Sequence, residues 1–165
     1  MKILPFKLPK SSDESLVVEH NISSHLYNPL HQHPELQITL ILKGTGTVFI
    51  GGYIGDFKPN DVFVIGSNVP HVFRNDDPYF EPNSKLKAEV IYVFFDANSF
   101  GDDFFSMPEA KELFDLLNKA RRGIKVHGDI KEILISKLKD LTTARNLEKI
   151  IRYWMCLKSS LMRIH

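Results

Sequence analysis

The sequence has few of the features that mark secreted, membrane-spanning or nucleic-acid-binding chains. Its 165 residues contain one cysteine, Cys156, so an intramolecular disulfide and a cysteine-based zinc site are both excluded. Lysine and arginine number 21 against 20 aspartate and glutamate residues, so net charge gives no reason to expect nucleic acid or a membrane surface as partner. No apolar run is long enough to cross a bilayer, and lysines and prolines interrupt residues 1–10 where a signal peptide needs an apolar core. We therefore expect a cytoplasmic protein of one domain, with an appendage at most.

The first 100 residues consist of short runs of β-branched and aromatic residues with Gly, Pro, Asn and Asp between the runs. Such runs predict strands, and the residues between them predict turns. Many short strands at near-regular spacing are typical of a barrel or jelly roll. The predicted strands cover residues 16–20, 22–27, 31–42, 47–50, 53–57, 62–65, 71–74 and 88–96.

The composition changes after residue 100, where apolar residues take a helical period. Ser106, Pro108 and Glu109 form a helix-start signal, and Gly123 ends that helix. A second helix follows Gly128, and a last one begins near residue 146. We therefore predict a mainly β fold, with a jelly-roll barrel in residues 1–100 and an α-helical segment in residues 101–165.

Apolar residues of the last helix recur at alternating spacings of three and four, as in a heptad seam. Because the seam covers fewer than three heptads, two alternatives stay open, an intramolecular core and a dimer interface. Exposure of Trp154 and Leu161 would favour the dimer interface. The stripe still runs at His165, so we expect the natural chain to continue or the helix to end in a partner. The residues assigned to dimerisation are Leu147, Ile150, Trp154, Leu157 and Leu161.

A polar row on one strand face is the main functional signal. Side chains alternate along a strand, so the polar residues from His31 to Thr39 share one face while an aliphatic row from Leu36 occupies the other. Three imidazoles and one oxygen suit a divalent transition metal such as iron, manganese, nickel or zinc. The candidate metal ligands are His31, His33, Gln37 and His71. The candidate ligand-pocket residues are His31, His33, Glu35, Gln37, Thr39, His71 and Tyr92.

Two segments resemble the two cupin motifs. The first is His31-x-His33-x3-Gln37-x6-Gly44, and the second runs from Gly55 to Asn75 and includes Pro59, Asp61, Pro70 and His71. The resemblance implies a jelly-roll barrel with metal-ligand positions at the four candidate residues. Gln37 stands where metal-binding cupins carry Glu, and a neutral amide offsets none of a metal's charge. Glu35 lies about 7 Å along the strand and would need a different geometry. We therefore expect a pocket without metal in preference to a metal site.

A longer combination resembles the N-terminal domain of AraC-type transcription regulators. It comprises residues 33–37, 41–46, 55–56, 61–71, 74–75 and 120–125, with two helices after them, and it covers nearly the whole chain. The resemblance implies a barrel that binds an effector and helices that dimerise. It also implies a separate C-terminal domain with two helix-turn-helix motifs for DNA, which these 165 residues do not include.

Two functions remain open at this stage. The preferred one is a non-enzymatic, effector-binding and dimerisation domain of an AraC-like regulator, for which a sugar or organic acid is a guess by analogy. The alternative is a stand-alone metal-dependent cupin enzyme, such as a dioxygenase or isomerase. Gln37 and the helices argue against the enzyme, and no catalytic triad, Cys-His pair, phosphate loop or carboxylate pair offers other chemistry.

Overall fold

The computed structural model describes residues 3–8, 14–101 and 103–159. Within these ranges the chain forms ten strands and three α-helices. The strands are β1 (Leu4–Pro5), β2 (Leu16–Ser23), β3 (His31–Gln32), β4 (Leu36–Lys43), β5 (Gly46–Ile50), β6 (Tyr53–Phe57), β7 (Val62–Ile65), β8 (His71–Asn75), β9 (Ala88–Phe95) and β10 (Ile124–Lys125). The helices are α1 (Lys111–Ala120), α2 (Asp129–Leu141) and α3 (Asn146–Ser159).

The strands form two sheets of five, in the orders β1-β3-β8-β5-β6 and β10-β7-β4-β9-β2. Pairing is antiparallel except between β1 and β3. We call the face of the second sheet that lies toward the first sheet its inner face, and the opposite face its outer face. The prediction of a mainly β, cupin-type fold followed by helices is confirmed.

Three sequence-based boundaries were wrong. The separate strand over 22–27 is absent, because β2 pairs with β9 without interruption from Leu16 to Ser23. The expected single strand over 31–42 is two strands, since a bend at residues 34–35 carries the chain from one sheet to the other. The helix expected to start at Ser106 starts at Lys111, because Pro108 opens a 3₁₀ turn ahead of it.

The outer face of the second sheet packs against the helices. Ile38 and Leu40 of β4 are fully buried there, in one apolar cluster with Leu134 and Leu138 of α2. Burying such a side chain stabilises the fold by about 1.5–3 kcal/mol. The helical segment therefore shares its core with the barrel. The short strand β10 also pairs with β7, so residues 101–159 are not helical throughout.

The apolar stripe predicted for dimerisation is divided in the structure. Trp154 packs against Phe95 and Phe100, with ring centroids 5.7 and 5.2 Å away. Leu157 is 1% exposed, so this part of the stripe forms intramolecular core, the first of the two alternatives. Leu147, in contrast, is 67% exposed. Ile150 is half-buried, and Leu161 lies outside the described residues.

A second apolar line runs along α3 beside the predicted one. Leu147, Ile151 and Met155 are 67, 49 and 57% exposed, and their spacing of four places them on one side of the helix. We call these three residues the exposed stripe. None of the described helices has the length and apolar character that crossing a membrane requires.

Candidate functional site

Strand pairing brings three histidines from separate chain positions together. His31 of β3 lies directly across from His71 of β8, and cross-strand neighbours are close enough to contact. His33 follows at the bend between β3 and β4. Gln37 comes from β4 in the other sheet, so both sheets contribute to one site. We call His31, His33, His71 and Gln37 the histidine centre.

The three imidazole rings are in mutual contact and buried. His31 and His71 have ring centroids 4.3 Å apart, and those of His33 and His71 are 5.1 Å apart. One ring nitrogen from each histidine lies within 4.8 Å of the other two. Their exposed fractions are 7, 3 and 1% for His31, His33 and His71. The predicted metal-ligating histidines therefore lie at one buried point.

Backbone carbonyls fix which nitrogen of each ring carries the proton. Each Nδ1 lies within hydrogen-bond distance of a carbonyl oxygen, which can only accept, so Nδ1–H donates and Nε2 holds a lone pair. The distances are 2.9 Å for His31, 3.1 Å for His33 and 2.8 Å for His71, to the carbonyls of Pro29, Glu35 and Val69 respectively.

Gln37 lies between two of these lone pairs. Its Oε1 is 2.9 Å from Nε2 of His33 and 3.0 Å from Nε2 of His71, while its Nε2–H donates to Thr39 Oγ1 at 2.7 Å. Three electron-rich atoms at this distance repel unless a cation lies among them. Turning the amide over removes the repulsion, because its NH₂ group then donates to both imidazoles and the Thr39 hydroxyl donates to Oε1.

Burial keeps the three imidazoles neutral. Removal from water lowers the pKa of His31 and of His33 from 6.5. The effect is largest for His71, whose pKa falls to about 3 through burial and through the nearby rings of His31 and His33. Neutral imidazole is the form that binds metals.

The donor set fits a divalent transition metal. Three imidazole nitrogens and an amide oxygen match the preferences of zinc, nickel, iron or manganese. Glu35 is buried and its Oε2 lies 3.5 Å from His33 Nδ1, the ring nitrogen that does not face Gln37. Glu35 therefore contacts His33 on the side of the ring away from Gln37, and it does not replace Gln37 as the oxygen donor. A metal held by the histidine centre would act as a Lewis acid toward an oxygen-bearing ligand.

A cavity of about 110 Å³ opens beside the histidine centre. Of the predicted pocket residues, His31, Gln37 and Tyr92 line it; Thr39 contacts Gln37, and His33, His71 and Glu35 are not among its lining residues. Glu19 was missed. Glu19 lies opposite Tyr92 because β2 pairs with β9, and no local sequence motif predicts that pairing. The described lining residues are Phe6, Leu8, Glu19, Tyr27, His31, Gln37, Phe73, Tyr92 and Phe94.

Solved structures similar to this chain include the following three. ToxT from Vibrio cholerae is similar over 92% of this chain and 60% of ToxT, at 10% identity and a TM-score of 0.51. The DMSP lyase DddQ from Ruegeria pomeroyi matches 49% of this chain at 25% identity and a TM-score of 0.40, and this chain spans only 38% of the lyase. A cupin 2 conserved barrel domain protein from Rhodopseudomonas palustris matches 55% of this chain and 58% of its own, at 19% identity and a TM-score of 0.41.

No curated protein sequence matches the chain. Residues 22–79 match the sequence model of the cupin domain. That range includes β3 to β8 and the whole histidine centre. Together with the two mainly antiparallel sheets, the match shows that this chain contains a cupin domain, followed by C-terminal helices.

Proposed function

We propose that this chain is the effector-binding and dimerisation domain of an AraC-type transcription regulator, which senses a small molecule in the cupin barrel. The observation that carries the proposal is the placement of β4. Gln37 of this strand lines the cavity, while its neighbour Ile38 packs into the cluster that holds the helices. A ligand that moves Gln37 therefore acts on a strand that the helices contact directly.

A second contact links the barrel to α1. The N–H of Gly66, which follows β7, donates to the carbonyl of Ala120 at the end of α1, at 2.8 Å. A Cβ on Gly66 would lie 2.9 Å from that backbone, so no larger residue fits without a shift. The loop after β7 thus transmits displacements of the second sheet to the helix.

The fold likeness to ToxT, an AraC-type regulator, supports the same proposal because it extends over the helices as well as the barrel. In this proposal, DNA contact belongs to a domain outside these residues and the protein acts in the cytoplasm. The barrel and helices supply ligand recognition and the dimer.

We assign the dimer contact to the exposed stripe, since Trp154 and Leu157 already pack within the chain. Glu148 lies near the start of α3 and Lys158 near its end, and both are exposed. Two copies of α3 packed antiparallel would bring these unlike charges together and oppose the helix dipoles. Like the apolar spacing, this charge order suits a second copy of the same helix.

Sedimentation velocity tests the dimer part of the proposal. We expect the parent protein to sediment as a dimer and Ile151→Glu to sediment as a monomer, because a charge in the contact is left without a partner. Ile54→Glu is the matched control, since Ile54 is 68% exposed on β6, in the other sheet. A monomeric parent, or a dimeric Ile151→Glu variant, contradicts the assignment.

A second candidate function is a metal-dependent cupin enzyme. The observation that favours it is the position of the histidine centre beside the cavity, where a metal and a small substrate would meet. Elemental analysis of the tag-free protein and of His71→Ala separates the candidates. Near-stoichiometric metal that disappears in the variant supports the enzyme, whereas metal in neither protein supports a sensor of an organic molecule alone.

A further inference from the structure

The charges around the cavity restrict what it binds. Among the described residues that line it, none is a lysine or arginine. The lining residue that carries a formal charge is Glu19, so an anionic ligand finds no fixed positive charge there.

Glu19 also lacks a cationic partner within the described parts of the chain. It lies on β2 opposite Tyr92. The charge that acts on it most strongly is another carboxylate, that of Glu14. Glu14 itself lies 3.8 Å from Lys149. Burial and Glu14 together raise the pKa of Glu19. A bound cation would compensate this negative charge.

The remaining lining is rich in aromatic rings. Phe6 and Tyr27 have ring centroids 5.0 Å apart, and Tyr92 and Phe94 are stacked at 5.7 Å with an interplanar angle of 29°. Aromatic faces attract ammonium groups through their quadrupoles, most strongly where water is excluded. Rings and one carboxylate form a combination that selects an organic cation over an anion.

The volume limits the size of the ligand. A cavity of about 150 Å³ holds benzene, and this one measures about 110 Å³. It therefore suits a molecule of roughly five heavy atoms. A hexose, with about twice the heavy atoms of benzene, is too large, and an organic acid lacks a cation to pair with.

We infer that the effector, on the proposed sensing function, is a small organic ammonium ion. Its charged group lies against the carboxylate of Glu19 and the neighbouring rings of Tyr92 and Phe94, and its alkyl part lies among Phe6 and Tyr27. The bound molecule contacts Gln37, and through this residue it displaces β4.

Three probes that share an isopropyl group and differ in charge test this inference: isobutylammonium, isobutanol and isobutyrate. The protein is first treated with a chelator, so that the histidine centre contributes no cation, and binding is followed by melting temperature and calorimetry. We expect isobutylammonium to raise the melting temperature and to bind roughly tenfold or more tightly than isobutanol. We expect no binding of isobutyrate.

Variants locate the probe. Glu19→Gln should weaken isobutylammonium binding by roughly tenfold or more and leave isobutanol binding unchanged. Glu89→Gln is the matched control, because it removes a carboxylate from the outer face of β9 and should change neither. Phe94→Leu, which keeps the cavity apolar but removes a ring, should weaken isobutylammonium binding several-fold.

Three outcomes overturn the inference: tighter binding of isobutanol or isobutyrate, no binding of any probe, or unchanged isobutylammonium binding in Glu19→Gln. Tighter binding of isobutyrate or isobutanol than of isobutylammonium would leave the sensing function standing with a different ligand class. Failure of the dimer in sedimentation would instead contradict the proposed function and leave these affinities unaffected.

Discussion

The two faces of the second sheet differ although the same strands form both. On the outer face, Ile38 and Leu40 are fully buried among helix side chains, in a predominantly apolar cluster. On the inner face, Gln37 and Thr39 are equally buried, at 2 and 0% exposure, but are polar and hydrogen-bonded to each other. Buried polar groups stabilise a fold less than apolar ones and are kept where they recognise something.

Adjacent residues of β4 therefore have different roles. The outer face supplies stability and fixes the helices, while the inner face carries an amide with two possible orientations and borders the cavity and the three neutral imidazoles. Because β4 alternates between the faces, a change at Gln37 is one residue from the helix core. The following predictions separate the two faces, from the largest expected effect to the smallest.

Truncation on the outer face should cost the most stability. Leu40→Ala removes a fully buried side chain and should lower the free energy of unfolding by about 2–5 kcal/mol. Urea unfolding measures it. Thr39→Ser on the inner face keeps the hydroxyl that contacts Gln37 and should cost about 1 kcal/mol. Equal losses at the two positions would remove the distinction between the faces.

A carboxylate at residue 37 should convert the histidine centre into a strong metal site. Gln37→Glu adds a negative charge, which is worth about 4 kcal/mol next to a cation near a protein surface. We therefore expect zinc or nickel affinity to rise by up to about three orders of magnitude in calorimetric titration. Gln32→Glu, on the opposite side of β3, is the control and should leave the affinity unchanged. An equal gain in the control would mean that net charge, not ligation, is responsible.

Acid should destabilise the protein through the histidine centre, which lies beside the inner face. The pKa of His71 falls from 6.5 to about 3 on folding, so below pH 6.5 the unfolded chain takes up a proton that the folded chain does not. Its contribution is therefore complete above pH 6.5 and is lost as the pH falls toward 3, by about 1.4 kcal/mol per pH unit. Urea unfolding between pH 7 and 5 should show a shallower pH dependence for His71→Asn. The exposed His127→Asn is the control, and identical slopes for parent and His71→Asn would rule out this linkage.

The smallest effect is expected at Tyr153 of α3, whose ring packs against Phe95 of β9. Tyr153 is 1% exposed, and its hydroxyl has no hydrogen-bond partner within the described residues. Tyr153→Phe should therefore raise the free energy of unfolding by about 1 kcal/mol. Tyr53→Phe, at a side chain 45% exposed, is the control and should change little. A loss of stability in Tyr153→Phe would reveal a partner for the hydroxyl.

Local sequence signals were sufficient where turns and alternation determine the structure. Turn residues marked the ends of β5 to β8. The alternation of side chains along a strand placed His31, His33 and Gln37 on one side, even though a bend separates β3 from β4. Together with the spacing to His71, these signals located the histidine centre.

Features that depend on which elements meet could not be predicted. Glu19 enters the cavity because β2 pairs with β9, and Phe6 because β1 pairs with β3. The spacing of Trp154 and Leu157 fits either a dimer seam or a core, since a heptad pattern identifies an apolar face but not its partner. In the structure the aromatic residues after β9 fill that face.

The central claim is that the cavity and the helices are coupled through β4. Hydrogen exchange with and without isobutylammonium tests it most directly, on the amides of residues 36–43 and of α1, α2 and α3. We expect slower exchange both in β4 and in the helices when the probe binds, and no change in Glu19→Gln. Slower exchange confined to the barrel, with helices unaffected while the probe is bound, would contradict the account.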